Sequence, residues 1–278
     1  MTREPGSHHA SGTATPMLSG GNRNGLFRET ELPGVCLTEE QGRMANVRYA
    51  FAVEHAAGKR VLEIGCGPGL GLAALSRCAA RVVGGDIVPD SLALARRRYG
   101  GGVGLAAMDG GCLPFRPGSF DVILLFEVIY YFASPDPVLQ ECRRVLGPAG
   151  HVLLCMPNPD HPTFNPSPCG KTYLSAAQLR ALLERHRFAP SLWGGFPLTG
   201  NAAVQKSVAR LRRIVARGLD GVPGGPALKR FAHRTLLGKN VPLPGELEIE
   251  SRRGALTLLS GETDGRLHRV LYAVGVKA

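Results

Sequence analysis

The sequence predicts an α/β fold wound around a mostly parallel sheet. Three observations predict it. Three short apolar stretches each run into an acid, at Glu63, Asp86 and Asp109. The first leads directly into glycines at 65, 67, 69 and 71 and then into an amphipathic segment over 70–78, the order strand, tight turn, helix. Two later apolar stretches, 120–126 and 151–156, are separated by a polar helical segment over 136–146, which continues the alternation of strand and helix that builds parallel sheets.

Taken in order, residues 1–25 are rich in Ser, Gly, Thr, Asn and His and are expected to form a disordered lead. Thr38-Glu-Glu-Gln41 is a helix start, with a cap and a residue three later that can reach back. That helix is expected to run to about residue 57, with Met44, Val47, Ala50, Phe51 and Glu54 at helical spacing. Strands are expected over 60–64, 81–86, 103–108 and 120–126, then a turn at 147–150 and a strand over 151–156. Five prolines within 157–168 make a stiffened loop rather than a helix. A capped helix follows from Ser175 to His186, then a strand over 191–196. The last strand is expected over 267–276. Residues 198–262 are more than a plain connection needs, and their two helical pieces, 203–218 and 226–238, read as an inserted cap or a dimer surface.

The glycine turn lets the backbone approach a ligand closely, and the helix start behind it favours a negative group. The dinucleotide pattern G-x-G-x-x-G does not fit, because Leu70 or Leu72 stands in the third glycine place. The pattern present is acid-x-G-x-G-x-G, from Glu63 to Gly69. Asp86 follows the first glycine by about 20 residues, the spacing at which a second strand brings a carboxylate to a ribose diol.

With these residues, the chain resembles the class I S-adenosylmethionine (SAM)-dependent methyltransferases. It is most similar to the small-molecule "type 11" group, which includes quinone-biosynthesis C-methyltransferases. The likeness rests on Glu63 to Gly69, on Asp86, on Asp109 with Leu-Pro-Phe115, on Ser119-Phe-Asp-Val122 and on Arg144-Val-Leu-Gly-Pro-Ala-Gly150. It covers residues 45–158 well and continues weakly to Phe188. Where the family usually has Pro-Gly-Gly, this chain has Pro148-Ala-Gly150.

The resemblance implies a Rossmann-like seven-stranded sheet with one antiparallel edge strand, an N-terminal helical lid, and SAM across the carboxyl ends of the strands. It makes residues 26–278 one methyltransferase domain. By the same resemblance, Asp86 takes the ribose hydroxyls and Asp109 the adenine amino group, with Gly110 beside it. Gly65, Gly67 and Gly69 let the methionine part pass, and Glu63 holds its ammonium end. Cys66, Ile87 and Phe126 complete the cofactor wall. Tyr49, with Arg48, has two readings, facing the cofactor cleft or packing the core.

On the acceptor side, Glu127 and Tyr130 follow a buried strand where the family places residues beside the methyl group. Glu127 reads either as a general base or as an acid satisfied by backbone N–H groups at a helix start. His161, with Asn158, Phe164 and Asn165 on the proline loop, reads as a catalytic or pocket residue or as a solvent-facing one.

At 278 residues and 44% apolar, the chain is long enough to bury a full core. It has no apolar window long enough for a membrane span and no secretory leader pattern, so a cytoplasmic location is expected. Seven cysteines show neither C-x-x-C nor metal spacing, so a reduced protein without a metal is expected. Of the +11 net charge, most falls in 180–239, with twelve basic and two acidic residues. That tract reads as a wall for an acidic or phosphorylated acceptor, or as an arginine-rich solvated face. Only Phe231 interrupts 204–240 as an aromatic, which disfavours nucleic acid. The expected partner is a small-molecule acceptor, with a homodimer as a further expectation. Two rival readings are a non-catalytic SAM-binding subunit and a nicotinamide-dependent oxidoreductase.

Overall fold

The computed structural model describes residues 36–198, 200, 207, 240–242, 247, 249, 256–260 and 264–278. The lead at 1–25 and the helical pieces expected at 203–218 and 226–238 lie outside the described residues, apart from Ser207.

Thr38 closes β1 (Cys36–Thr38) and caps α1 (Glu39–Ala56): its hydroxyl accepts the Gln41 N–H, and the Gln41 side chain accepts the Thr38 N–H. This is the reciprocal cap that the sequence signalled. There follow β2 (Arg60–Ile64), α2 (Leu72–Ser76), β3 (Arg81–Asp86), α3 (Pro89–Tyr99), β4 (Gly104–Ala107), β5 (Phe120–Phe126), α4 (Asp136–Val145) and β6 (Leu146–Pro157). Then come α5 (Ala176–Arg185), β7 (Phe188–Pro197), β8 (Asn240–Pro242), β9 (Leu256–Leu258) and β10 (His268–Lys277).

The main sheet has eight strands in the order β4-β3-β2-β5-β6-β10-β7-β9. The pairs from β4 to β6 are parallel, and β10 is antiparallel to both β6 and β7. The expected antiparallel strand is thus present but lies inside the sheet, while the short antiparallel β9 forms the edge. Both β8 and β9 fall within 198–262, after the two helical pieces expected there. The helix α3 was not anticipated, although Pro89 at its first turn and Gly100 at its end mark it.

Strands buried on two faces read as continuous apolar runs, and alternate residues of β5 serve two cores. Ile123 and Leu125 face one with α4 and α5, and Val122, Leu124 and Phe126 face the other with α1 and α2. In the second core, Phe51 of α1 meets Trp193 and Tyr272 edge-on at 5.6 and 5.4 Å. At the amino ends of the strands, Arg60 grips Asp121 through two side-chain nitrogens and its own N–H. That grip pulls the Asp121 carboxyl down to about 2.

Candidate active site

The turn after β2 is tied down by its own backbone. The N–H groups of Gly65 and Cys66 both donate to the Gly85 carbonyl, and Gly69 N–H donates to Cys66 O. At Gly67 the chain takes φ +52°, and a side chain there would point into open space. Gly67 is therefore the point where the turn presents bare backbone outward.

Asp86, at the end of β3, bridges this turn to its own strand. Its Oδ2 accepts the Gly67 N–H at 2.8 Å and its Oδ1 accepts the Val88 N–H at 2.8 Å. Two bonds leave a carboxylate able to accept more, and Asp86 is half-buried. Beside it, Ile87 is 60% exposed, an apolar surface next to a polar group. Asp109 follows β4, is exposed, and accepts the Gly111 N–H at 2.9 Å. Gly110 is buried; a Cβ there would lie 2.8 Å from the Phe132 ring.

Glu63 is 2% exposed and accepts the Tyr49 hydroxyl at 2.6 Å. Tyr49 is itself buried, lies over Gly71 and meets Phe126 edge-on at 5.7 Å. The Tyr49 ring packs in the core, and its hydroxyl serves the Glu63 carboxylate. Burial, with Glu63 and Asp86 nearby, pushes the Cys66 thiol far up, so it stays protonated and unreactive.

On the other half of the edge, Glu127 stands at φ +53° directly after β5. Few non-glycine residues adopt that conformation, and it gathers at functional sites. Its Oε2 accepts the Tyr130 hydroxyl at 3.0 Å, its Oε1 accepts the Cys155 thiol at 3.7 Å, and Arg48 Nη1 lies 3.9 Å from Oε1. Three side chains thus surround this carboxylate. Burial, and then the Glu127 charge, push the Tyr130 phenol far up, so Tyr130 is a donor at neutral pH.

The proline loop docks on this group. Lys171 and Thr172 N–H donate to Tyr130 O, Tyr173 stacks on Tyr130 at 5.0 Å, and Phe164 meets Tyr173 edge-on at 4.9 Å. Asn158 anchors the loop to the start of β10 by donating to Gly265 O and His268 O. His161 is 3% exposed, which removes the solvent-facing reading. Its Nδ1 accepts the Thr163 N–H at 3.2 Å, which places the ring proton on Nε2. Burial, then the charges of Arg269 and His268, lower it to about 4, so it is neutral near pH 7.

Cys155 and Tyr173 were missed from sequence. Cys155 pairs with Phe126 across β5 and β6, so its place beside Glu127 follows from strand register, which sequence alone did not supply. Among the described residues no cluster of three metal-ligating side chains occurs.

The methyltransferase domain family matches residues 62–154. Over those residues the chain matches a methyltransferase domain. It is 34% identical over 169 residues to a "probable S-adenosylmethionine-dependent methyltransferase" of Mycolicibacterium smegmatis, covering 59% of this chain and 65% of that protein. It is 30% identical over 122 residues to a ubiquinone biosynthesis O-methyltransferase of Idiomarina loihiensis, covering 38% and 47%. The chain thus spans less than two thirds of either relative. The domain also superimposes on the YcgJ protein of Bacillus subtilis, with a TM-score of 0.53, 16% identity, and coverage of 84% of this chain and 98% of that one. That likeness concerns the fold. SAM is the cofactor that this domain family implies, and the open turn at Gly67 beside the half-exposed Asp86 fits it. No described helix is long and apolar enough to cross a membrane.

Proposed function

We propose that the protein transfers the methyl group of SAM to a small-molecule acceptor. One observation carries this reading. Glu63, Asp86 and Asp109 stand along one sheet edge around the outward-facing Gly67, and Glu127 stands next to them after β5. Asp86 takes the ribose hydroxyls, Asp109 and Gly110 the adenine amino side, Ile87 the adenine face, and Glu63 the ammonium end.

When bound, SAM supplies a sulfonium-activated methyl group. The chain's own task is to align an acceptor and, for a hydroxyl or carbon centre, to remove its proton. Glu127 is the base in this reading. Arg48 lies beside it, and Tyr130 and Cys155 donate to its oxygens. Tyr130 and His161 orient rather than accept the proton, since one phenol is held protonated and the imidazole is neutral and already uses Nδ1. The relatives' names include an O-methyltransferase of ubiquinone biosynthesis, so hydroxyl-bearing small molecules are the first acceptors to try. The tract at 180–239 that suggested an acidic or phosphorylated acceptor lies largely outside the described residues and contributes nothing here.

Calorimetry with S-adenosylhomocysteine and with NADH tests the cofactor: binding of the first and not the second is expected. Glu127→Gln should keep that binding and lower turnover of an accepted hydroxyl compound by about 10²–10⁴-fold. Near-normal turnover in that variant would remove Glu127 as the base.

A further inference from the structure

The buried Tyr49–Glu63 contact has a consequence for which ligands the site prefers. Tyr49 gives its hydroxyl hydrogen to Glu63 at 2.6 Å, and both residues are at most 3% exposed. Three neighbours hold the phenol. A Cβ at Gly71 would fall 1.7 Å from a Tyr49 ring carbon, so only glycine lets the ring sit there. Phe126 meets it edge-on with planes at 77°. The Arg48 guanidinium lies 5.3 Å from its ring centre. A donor locked in this way fixes the rotation of the carboxylate it serves.

Glu63 also lies at a defined place in the site. It is the second-to-last residue of β2, directly before the glycine turn, whereas Asp86 ends β3, the next strand. In the cofactor reading, with the ribose on Asp86 and the chain crossing Gly67, Glu63 is left for the amino-acid end. We infer that Tyr49 is a positioning residue that orients Glu63 toward the amino-acid end of the cofactor, so that the site discriminates S-adenosyl ligands carrying that end from nucleoside thioethers lacking it. The inference rests on the cofactor reading above. Tyr49 touches Glu63 through its hydroxyl, and its ring packs on Gly71 and Phe126.

Two probes separate this role from a merely structural one. S-adenosylhomocysteine carries the amino acid; 5′-methylthioadenosine has the same adenine, ribose and sulfur without it. Calorimetry on wild type, Tyr49→Phe, Glu63→Gln and the double variant gives the comparison, with ligand-free melting temperatures as the check on folding. Phenylalanine keeps the ring over Gly71, and Glu63→Gln reads the same contact from the other side. Tyr49→Phe should weaken S-adenosylhomocysteine about 10-fold, the scale of one hydrogen bond to a charged group, and leave methylthioadenosine within about twofold. The double variant should bind S-adenosylhomocysteine within about twofold of Glu63→Gln alone, because Tyr49 acts through Glu63. Equal weakening of both ligands, or additive losses in the double variant, overturns the inference. Wild-type protein that binds neither ligand overturns the cofactor reading along with it, which distinguishes the two failures.

Discussion

Arg48 on α1 holds its guanidinium 3.9 Å from the carboxylate of Glu127 at the end of β5. The next residue, Tyr49, serves Glu63 on β2, the strand that pairs with β5. One turn of α1 therefore engages acids from two adjacent strands, one on each half of the site. The Arg48 side chain is 5% exposed and that of Glu127 29%. Removing one buried charge strands the other. Arg48→Met should lower folding stability by about 2 kcal/mol, less than the ~3–5 of a fully buried pair because Glu127 still reaches water. Adding Glu127→Gln should restore part of the loss. Urea titration of both variants gives the comparison; a double variant less stable than Arg48→Met would mean that the two charges do not compensate each other.

Asp86 both shapes the turn and offers itself to a ligand. Asp86→Ala should weaken S-adenosylhomocysteine binding by about 10- to 100-fold, or about 1.5–3 kcal/mol. It also releases the N–H groups of Gly67 and Val88, so part of the loss is a loosened turn. Unchanged affinity in a folded variant would take the ribose away from Asp86.

The fold was legible because its strongest signals are local. Apolar runs, reciprocal caps at Thr38 and Ser175, and acids at strand ends all follow from near neighbours in sequence. Pairings made by distant residues were not legible. The burial of β10 between β6 and β7 depends on residues 71 or more positions apart, and no local pattern encodes it. The site divides in the same way. Asp86 and the glycines lie within one strand-turn-strand unit, whereas the partners of Glu127 come from α1 and β6. His161 reads as an exposed loop histidine until the loop is seen anchored by Asn158 on β10.

A local departure noted in the sequence now has a physical meaning. Ala149 takes φ +52° in the bulge where β6 slips register against β5, and it is exposed. Glycine, which the resembled family usually has there, adopts that conformation without the ~1–2 kcal/mol strain of a Cβ. Ala149→Gly should therefore stabilise the fold by up to about 1 kcal/mol, since glycine's freer unfolded chain offsets part of the gain. Urea unfolding measures this. A less stable variant would mean that the alanine side chain contributes more by contact than it costs in strain.

His161 should give the protein a pH-dependent stability. Its folded-state value, about 4, lies below the unfolded value near 6.5, because burial and then Arg269 and His268 oppose a charge there, with Glu40 acting weakly the other way. The unfolded chain thus binds the proton more tightly. Stability rises with pH wherever the unfolded state holds more protons. The contribution is complete above about 6.5 and is lost as pH falls toward about 4. His55 and His151 are also lowered, mainly by burial, and act in the same direction. His161→Asn keeps an acceptor close to Nδ1 for the Thr163 N–H but cannot titrate. Melting temperatures of wild type and variant between pH 7.5 and about 4.5 should converge as pH falls, with the shallower slope in the variant. Parallel curves would mean that His161 binds its proton equally well in the folded and unfolded chain.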